Sequence, residues 1–108
     1  MRYIEFKIVA INSNLTLDYK RLLLEYAQSP LPGGQGIGVA EMRKAIRVID
    51  KLEAANGIVA LEDADWEFLN QRVQAAQFTL AHKVIVEFVD AVANAPTEEP
   101  TRIAERDD

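Results

Sequence analysis

The chain has 108 residues, contains no cysteine and carries a formal net charge of −5. This length suits one small domain and is too short for two ordinary ones. The absence of cysteine from the sequence excludes disulfides, thiolate catalysis and cysteine-ligated zinc or iron–sulfur sites. The acidic excess offers no broad attraction to a phosphate backbone, so non-specific binding of nucleic acid is disfavoured.

Much of the acidic excess lies at the C-terminal end. Residues 96–108 hold five acids and two bases, which gives them a net charge of −3 and leaves −2 for residues 1–95. We therefore predict a single globular domain over residues 1–95 and a disordered acidic tail over residues 96–108. No apolar run approaches the roughly 20 residues that a membrane helix needs, and the N-terminal residues do not resemble a signal peptide. We expect a cytoplasmic protein that does not contact membranes.

Residues 2–11 alternate between apolar and polar side chains, a pattern typical of a β-strand with one apolar face. We predict a single strand over these residues. The predicted apolar face consists of Ile4, Phe6, Ile8 and Ala10. Asn12, Ser13 and Asn14 follow, and short polar residues of this kind predict a turn.

The next segment has the apolar spacing of an amphipathic helix. Asn14 or Thr16 is the expected N-cap, and Ser29 is the expected end because the residue before a proline is disfavoured in a helix. The predicted apolar face consists of Tyr19, Leu22, Leu23 and Tyr26. Residues 29–38 contain two prolines and four glycines, which predicts a loop.

A second helix is predicted after this loop. Gly38 is a suitable N-cap, and Glu41 then lies in the first turn, where its charge is favourable near the positive end of the helix dipole. The helix runs to about Ala55, where Asn56 and Gly57 stop it. We expect it to bury Met42, Ala45, Ile46, Ile49 and Leu52.

One short strand and two further helices complete the pattern. Ile58–Leu61 is a short apolar run that predicts a strand, Asp63 is the expected N-cap of a third helix, and Thr79 that of a fourth over residues 80–94. The apolar stripe expected in the third helix is Trp66, Leu69, Val73 and Ala76. The side chains expected to be buried in the fourth are Ala81, Val84, Ile85, Phe88 and Val92. The order β-α-α-β-α-α predicts an α+β fold, mostly α, with about four helices and two short strands.

Two clusters of opposite charge lie on the second and third predicted helices. The basic cluster is Arg43, Lys44, Arg47 and Lys51, and the acidic cluster is Glu62, Asp63, Asp65 and Glu67. The simplest interpretation is a solvated basic face with local pairs such as Arg47–Asp50, and an acidic helix start. The alternative is a docking surface, either for another molecule or between the basic cluster of one subunit and the acidic cluster of the next. The candidate partner-binding residues are Arg43, Lys44, Arg47, Lys51, Glu62 and Asp65.

No motif in the sequence predicts a catalytic, cofactor-binding or metal site. The glycines of residues 33–38 precede a helix, but they lack the spacing of a dinucleotide-binding loop and the Lys-Ser/Thr pair of a P-loop. The acidic cluster lacks the glycine of an EF-hand loop. His82 is the single histidine of the sequence, so it forms no usual triad or zinc site, and we expect it on the surface.

The segment G-I-G-V-A-E-M-R-K-A-I-R-V-I-D-K-L-E, followed by L-E-D-A-D-W-E-F-L, resembles small proteins encoded by tailed bacteriophages and prophages. The resemblance covers roughly residues 36–95, including a C-terminal helix similar to V-I-V-E-F-V-D-A-V. It implies a small phage or prophage protein that acts in the cytoplasm of a bacterial host by binding another molecule. It lends no catalytic residues.

Three functions are compatible with the sequence to different degrees. The favoured hypothesis is a non-enzymatic protein-interaction module, such as a phage accessory or assembly factor, whose partner is another protein or a second copy of the chain. The alternative is a nucleic-acid-binding regulator that uses the basic face of the helix over residues 39–55, although residues 56–62 are longer than the turn of a helix-turn-helix. An enzyme based on a carboxylate pair such as Glu62 and Asp65 is disfavoured, because carboxylates are common at helix starts.

Overall fold

The structure, a computed structural model, describes residues 1–29, 36–78 and 81–99. These residues form four strands and four helices, and the predicted α+β class with mostly helical content is confirmed. In chain order the elements are β1 (Arg2–Glu5), β2 (Ile8–Asn12), β3 (Leu15–Asp18), α1 (Tyr19–Gln28), α2 (Val39–Ala54), β4 (Ile58–Leu61), α3 (Asp63–Ala75) and α4 (Lys83–Ala93).

The N-terminal residues form two strands instead of the single predicted one. β1 pairs antiparallel with β4, whereas β2 pairs antiparallel with β3, so the chain changes from one sheet to the other between them. At the change, the Phe6 N–H donates to the Gly57 carbonyl at 2.8 Å, and the Lys7 carbonyl accepts from the Tyr19 N–H at 2.9 Å. Alternation in the sequence does not reveal such a change, because both strands are extended and follow each other closely.

The change of sheet also alters which side chains are buried. Ile4 is buried as predicted, but Ile8 is 71% exposed and Ala10 is exposed too. The partly buried side chains of β2 are Val9 and Ile11. The predicted apolar face is therefore wrong from Ile8 onward, because a shift of one residue in phase moves every side chain of a strand to the other face.

The predicted turn joins β2 to β3, a strand that the sequence analysis did not predict. The Asn14 N–H donates to Asn12 Oδ1 at 2.8 Å, which is the hydrogen bond of an Asx turn. Because β3 occupies the residues expected to start the first helix, neither Asn14 nor Thr16 caps α1. Asp18 caps it, and its carboxylate accepts a hydrogen bond at 3.3 Å from the backbone N–H three residues later. The predicted end of α1 at Ser29 is confirmed.

The starts of the other helices agree with the prediction to different degrees. Gly38 caps α2 as predicted. Glu62, not Asp63, is the N-cap of α3, and Asp63 lies in its first turn. His82, predicted as a surface residue, is the N-cap of α4, where its Nδ1 accepts the backbone N–H two residues later at 3.1 Å. The predicted cap Thr79 lies outside the described residues.

One apolar core connects all four helices with β1 and β4. The rings of Tyr19 and Phe88 meet edge to face with their centroids 4.9 Å apart, which joins α1 to α4. Large side chains that are fully buried are Ile4, Leu23, Leu52, Leu61, Leu69 and Phe88. Ala95 is also buried, so the core reaches the end of the predicted domain, while residues 96–99 are exposed and residues 100–108 lie outside the described part.

The buried side chains of the last two helices largely match the prediction. In α3, Leu69 and Val73 are buried, Trp66 is partly buried, and Phe68 is an additional buried residue. In α4, four of the five predicted residues are buried, namely Val84, Ile85, Phe88 and Val92. Ala81 is exposed because it precedes the helix.

The C-terminal end of α4 is held by two side chains from other elements. Trp66 Nε1 donates to the Val92 carbonyl at 2.8 Å, and an Arg2 Nη atom donates to the Ala95 carbonyl at 2.9 Å. The Arg2 guanidinium lies 4.3 Å from the centroid of the Trp66 ring. A cation at this end is favourable because the helix dipole is negative there, and the three contacts together join β1, α3 and α4.

Helix α2 buries a face that matches the predicted one only in part, since Ala45 and Leu52 are buried as predicted and Ile49 is partly buried. Ala45, Val48 and Leu52 are buried, whereas Met42 is 42% exposed and Ile46 is 51% exposed. The prediction that Met42 and Ile46 belong to the core is therefore wrong. Apolar residues occupy two adjacent faces of this helix, and packing against α1 and α3 covers one of them.

Replacing Leu52 with alanine tests this orientation of α2. Because Leu52 is fully buried, Leu52→Ala should lower the free energy of unfolding by about 2–5 kcal/mol, the range for truncating buried leucines. The matched control on the same helix is Ile46→Ala. Because Ile46 is 51% exposed, this substitution should change the free energy of unfolding by less than about 1 kcal/mol. Urea unfolding of dilute protein, followed by Trp66 fluorescence, measures both. Equal losses would contradict the observed orientation.

Candidate functional site

Asp65 is a nearly buried carboxylate at the contact between α3 and α2. Its side chain is 4% exposed, and two cations of α2 donate to it. Arg47 Nε lies 3.0 Å from Oδ1, and Lys51 Nζ lies 3.0 Å from Oδ2. Each carboxylate oxygen therefore has its own charged donor, which is the condition under which a buried charge is tolerated.

The local sequence explains why these three residues meet. Arg47 and Lys51 are four residues apart, so they lie on one face of α2 in successive turns. Asp65 is in the first turn of α3, where the positive end of the helix dipole also favours a negative charge. Packing of α3 beside α2 then brings both cations to the same carboxylate.

The pKa of Asp65 reflects a balance of two opposing effects. Burial by itself raises the pKa, because removal from water disfavours the charged carboxylate. The hydrogen bonds from Lys51 and Arg47, and the positive charges of the same side chains, lower it. The second effect is larger, so the pKa of Asp65 is held below its usual value of 3.8. At neutral pH the group is an ionised structural contact and is unsuited to donating a proton.

The local pair expected between Arg47 and Asp50 is replaced by this contact. Arg47 reaches across to Asp65 on α3. Within the residues that the structure describes, no ion pair involves Asp50. The contact between α2 and α3 takes precedence because Asp65 is buried, and one oxygen of its carboxylate would otherwise lack a charged donor.

The other candidate residues lie on the surface of the molecule. Arg43 and Lys44 are exposed on α2 and form no ion pair with any described residue. Glu62 is exposed at the start of α3. The structure therefore joins Arg47 and Lys51 to Asp65 within one chain and leaves the remaining three candidates open to solvent.

A second buried charge, Arg72, was not identified from the sequence. Its side chain is 3% exposed, and Nη2 lies 2.9 Å from the carboxylate of Glu41 at the start of α2. Nε donates to the carbonyl of Ser29 at 3.1 Å, and the guanidinium carbon lies 3.8 Å from the centroid of the Phe68 ring. Arg72 thus joins the end of α1 to the start of α2. The available sequence signal is the four-residue spacing of Phe68 and Arg72, which places both on one face of α3.

The outer face of α2 carries an exposed apolar stripe, which includes two residues that were expected in the core. We define the α2 stripe as Val39, Met42 and Ile46, which are 64%, 42% and 51% exposed. Their spacing of three and four residues places them in one row along the helix. Arg43 lies next to this row. The exposure of the stripe was not predicted, because apolar spacing shows that a helix has an apolar face but does not show whether other residues cover that face.

An open groove of about 650 Å³ lies beside α1. Residues that line it include Phe6, Ile8, Lys20, Arg21, Leu24 and Glu25. Lys20 is already engaged there, since its ammonium donates to the Ala55 carbonyl at 3.0 Å and lies 5.5 Å from the centroid of the Phe6 ring. The Lys20 ammonium thereby provides a hydrogen-bond donor for a free carbonyl at the C-terminal end of α2, so its role is structural.

In residues 1–29, 36–78 and 81–99, no three His, Cys, Asp or Glu side chains are grouped so that they could hold a metal ion. No helix of these ranges combines the length and the apolar character needed to cross a bilayer.

The chain shows no match to known protein families, to curated proteins or to solved structures. The assignment of a functional site therefore depends on the chemistry of the surface just described.

Removal of both cations from Asp65 should be far more damaging than removal of either one. Arg47→Met and Lys51→Met should each lower the free energy of unfolding by about 1 kcal/mol, because one oxygen of the buried carboxylate loses its donor while the remaining cation keeps the charge paired. The double variant leaves a buried charge without a partner and should lose about 3–5 kcal/mol. Urea unfolding at neutral pH measures the three values. Strict additivity would show that the two cations do not share Asp65 as a common partner.

Asp65→Asn should make stability less dependent on acid pH. The folded-state pKa of Asp65 is lowered, so its contribution is fully present above the unfolded value near 3.8 and is lost as pH falls through the folded pKa. The difference in unfolding free energy between the native protein and Asp65→Asn should therefore shrink below about pH 4. Asp90→Asn, at an exposed position of α4, is the control. A difference that stays constant down to pH 2–3 would contradict the pairing, as measured by urea unfolding across this range.

Proposed function

We propose that this protein is a non-enzymatic protein-binding module and that its binding surface is the outer face of α2. The observation that carries the proposal is the α2 stripe, three exposed apolar side chains in one row with Arg43 beside them. Apolar side chains grouped on a surface and rimmed by charges are typical of interaction sites.

The rigidity of α2 supports this surface as a binding face. Its start is joined to Arg72, its middle to Asp65 and its C-terminal end to Lys20. A helix held at three points presents its outer side chains in a fixed arrangement, which lowers the entropy lost on binding.

The distribution of the basic cluster favours a protein partner over a nucleic acid. Arg47 and Lys51 both donate to Asp65, which leaves Arg43 and Lys44 as the cations without a described ion pair on α2. Two cations hold few phosphates, and the α2 stripe offers aliphatic side chains instead of the aromatic rings on which bases stack. The nucleic-acid-binding regulator is retained as an outcome of the experiment below. The phage or prophage setting, a role in assembly and a bacterial host are proposed from the sequence resemblance.

Affinity capture with matched surface variants tests the proposal. The tagged native protein, Ile46→Glu, Arg43→Glu/Lys44→Glu and the control Val86→Glu are each incubated with lysate of cells that produce the protein naturally. Val86 is 57% exposed on α4, so it matches Ile46 in chemistry and exposure but lies on another helix. Captured proteins, including untagged copies of the chain, are identified by mass spectrometry, and nucleic acid is measured after protease treatment.

We expect the native protein and Val86→Glu to retain a protein that Ile46→Glu loses. Circular dichroism should show that all variants remain folded. The same captured proteins with Ile46→Glu as with the native protein would reject the outer face of α2 as the binding surface. Nucleic acid lost only with Arg43→Glu/Lys44→Glu would replace the proposal with the nucleic-acid alternative.

A further inference from the structure

The charges that flank the α2 stripe have a regular arrangement around Ile46. Arg43 precedes Ile46 by three residues, and Asp50 follows it by four. The two charges are seven residues apart, so they lie on the same side of the stripe about 10 Å from each other along the helix axis. Both side chains are exposed, and neither forms an ion pair with a described residue.

This arrangement is complementary to itself under a two-fold axis. When two α2 helices pack antiparallel with the axis beside Ile46, Arg43 of each copy lies opposite Asp50 of the other. The two Ile46 side chains then lie next to each other at the axis. A parallel pair would instead place the Arg43 and Asp50 side chains of the two copies on opposite sides of the contact, where they would form no such charge pairs.

A charged residue C-terminal to the α2 stripe fits the same geometry. Glu53 is exposed and follows Asp50 by three residues, near the row of apolar side chains. In the antiparallel pair it lies near Ala40, in the first turn of the other α2. A carboxylate is favourable there because the N-terminal end of the helix dipole is positive.

We propose that the partner bound by the outer face of α2 is a second copy of this chain, packed antiparallel through the α2 stripe. This inference rests on the proposed function, since it names the occupant of the same surface. A second copy is favoured over an unrelated helix because one surface carries both members of the complementary charge pair. The interaction is isologous, so it closes at the dimer and does not continue into a filament.

The size of this surface determines how strongly two copies of the chain should associate. Three apolar side chains and two charge pairs are fewer than the roughly 20–30 residues per partner of a standard stable interface. The dimer should therefore be weak, dissociate on dilution and weaken further at high salt, because its charge pairs are exposed.

Sedimentation equilibrium over a wide range of protein concentrations provides the first test. The native protein and Val86→Glu should show a reversible monomer–dimer equilibrium. Ile46→Glu should weaken association by at least roughly tenfold, because it places two carboxylates at the centre of the contact. Circular dichroism and urea unfolding verify that each variant is folded.

A charge exchange provides the decisive test of the antiparallel arrangement. Arg43→Glu and Asp50→Lys should each reduce self-association, since each places like charges opposite one another. A mixture of the two variants should form a heterodimer, because every contact then joins opposite charges. The variant that carries both substitutions in one chain should recover association. Lys44→Glu, a charge reversal outside the apolar row, should change the dimer constant much less.

The outcomes of these experiments distinguish failure of the proposed dimer from failure of the proposed function. A native protein that stays monomeric at the highest concentration, or a dimer that persists in Ile46→Glu, overturns the second copy as partner. An unrelated protein whose capture still depends on Ile46 would then leave the proposed function standing. Loss of both self-association and Ile46-dependent capture would reject both. Dimerisation without rescue in the mixture or the doubly substituted chain would reject the antiparallel pairing.

Discussion

The carboxylate of Asp65 has almost no contact with water, and the arrangement of the helices depends on how its charge is balanced. Arg47 and Lys51 supply the compensating positive charges from one face of α2, so this face has to lie against α3. Val48 and Leu52 then lie in the core, and Ile46 lies on the outside. A single buried charge therefore fixes the rotation of α2 about its axis and, with it, the composition of the outer surface.

The same helix is held at both ends by other cations. Arg72 binds Glu41 in the first turn, and Lys20 donates to the carbonyl of Ala55 after the last turn. These contacts are directional, whereas apolar packing tolerates some rotation and sliding of a helix. The polar contacts thus give α2 one defined position on a core that would otherwise permit several.

Features with a local cause could be predicted from the sequence. The turn after β2, the end of α1 at Ser29 and the start of α2 at Gly38 each depend on residues that are neighbours in the chain. The class of the fold followed from the helical spacing of the apolar residues, which accounts for the correct number of helices.

Features that depend on distant contacts could not be predicted in this way. The strand boundary at Phe6 exists because β1 pairs with β4 and β2 with β3, and an alternating sequence is equally consistent with one long strand. The candidate site shows the same limit. Charges at a helix start are usually solvated, so nothing in the sequence distinguishes Asp65, which is buried, from Asp63, which is exposed.

The pairing of β1 has a consequence for the order in which the chain folds during synthesis. Its strand partner β4 is made some fifty residues later, and the Tyr3 N–H donates at 3.0 Å to the carbonyl of Pro96. The β2–β3 hairpin and α1 have local partners and are free to form early on the ribosome. β1 is translated before β2, β3 and β4, but it completes its hydrogen bonds only when the residues after α4 have emerged. The earliest of the four described strands is therefore among the last to complete its hydrogen bonds.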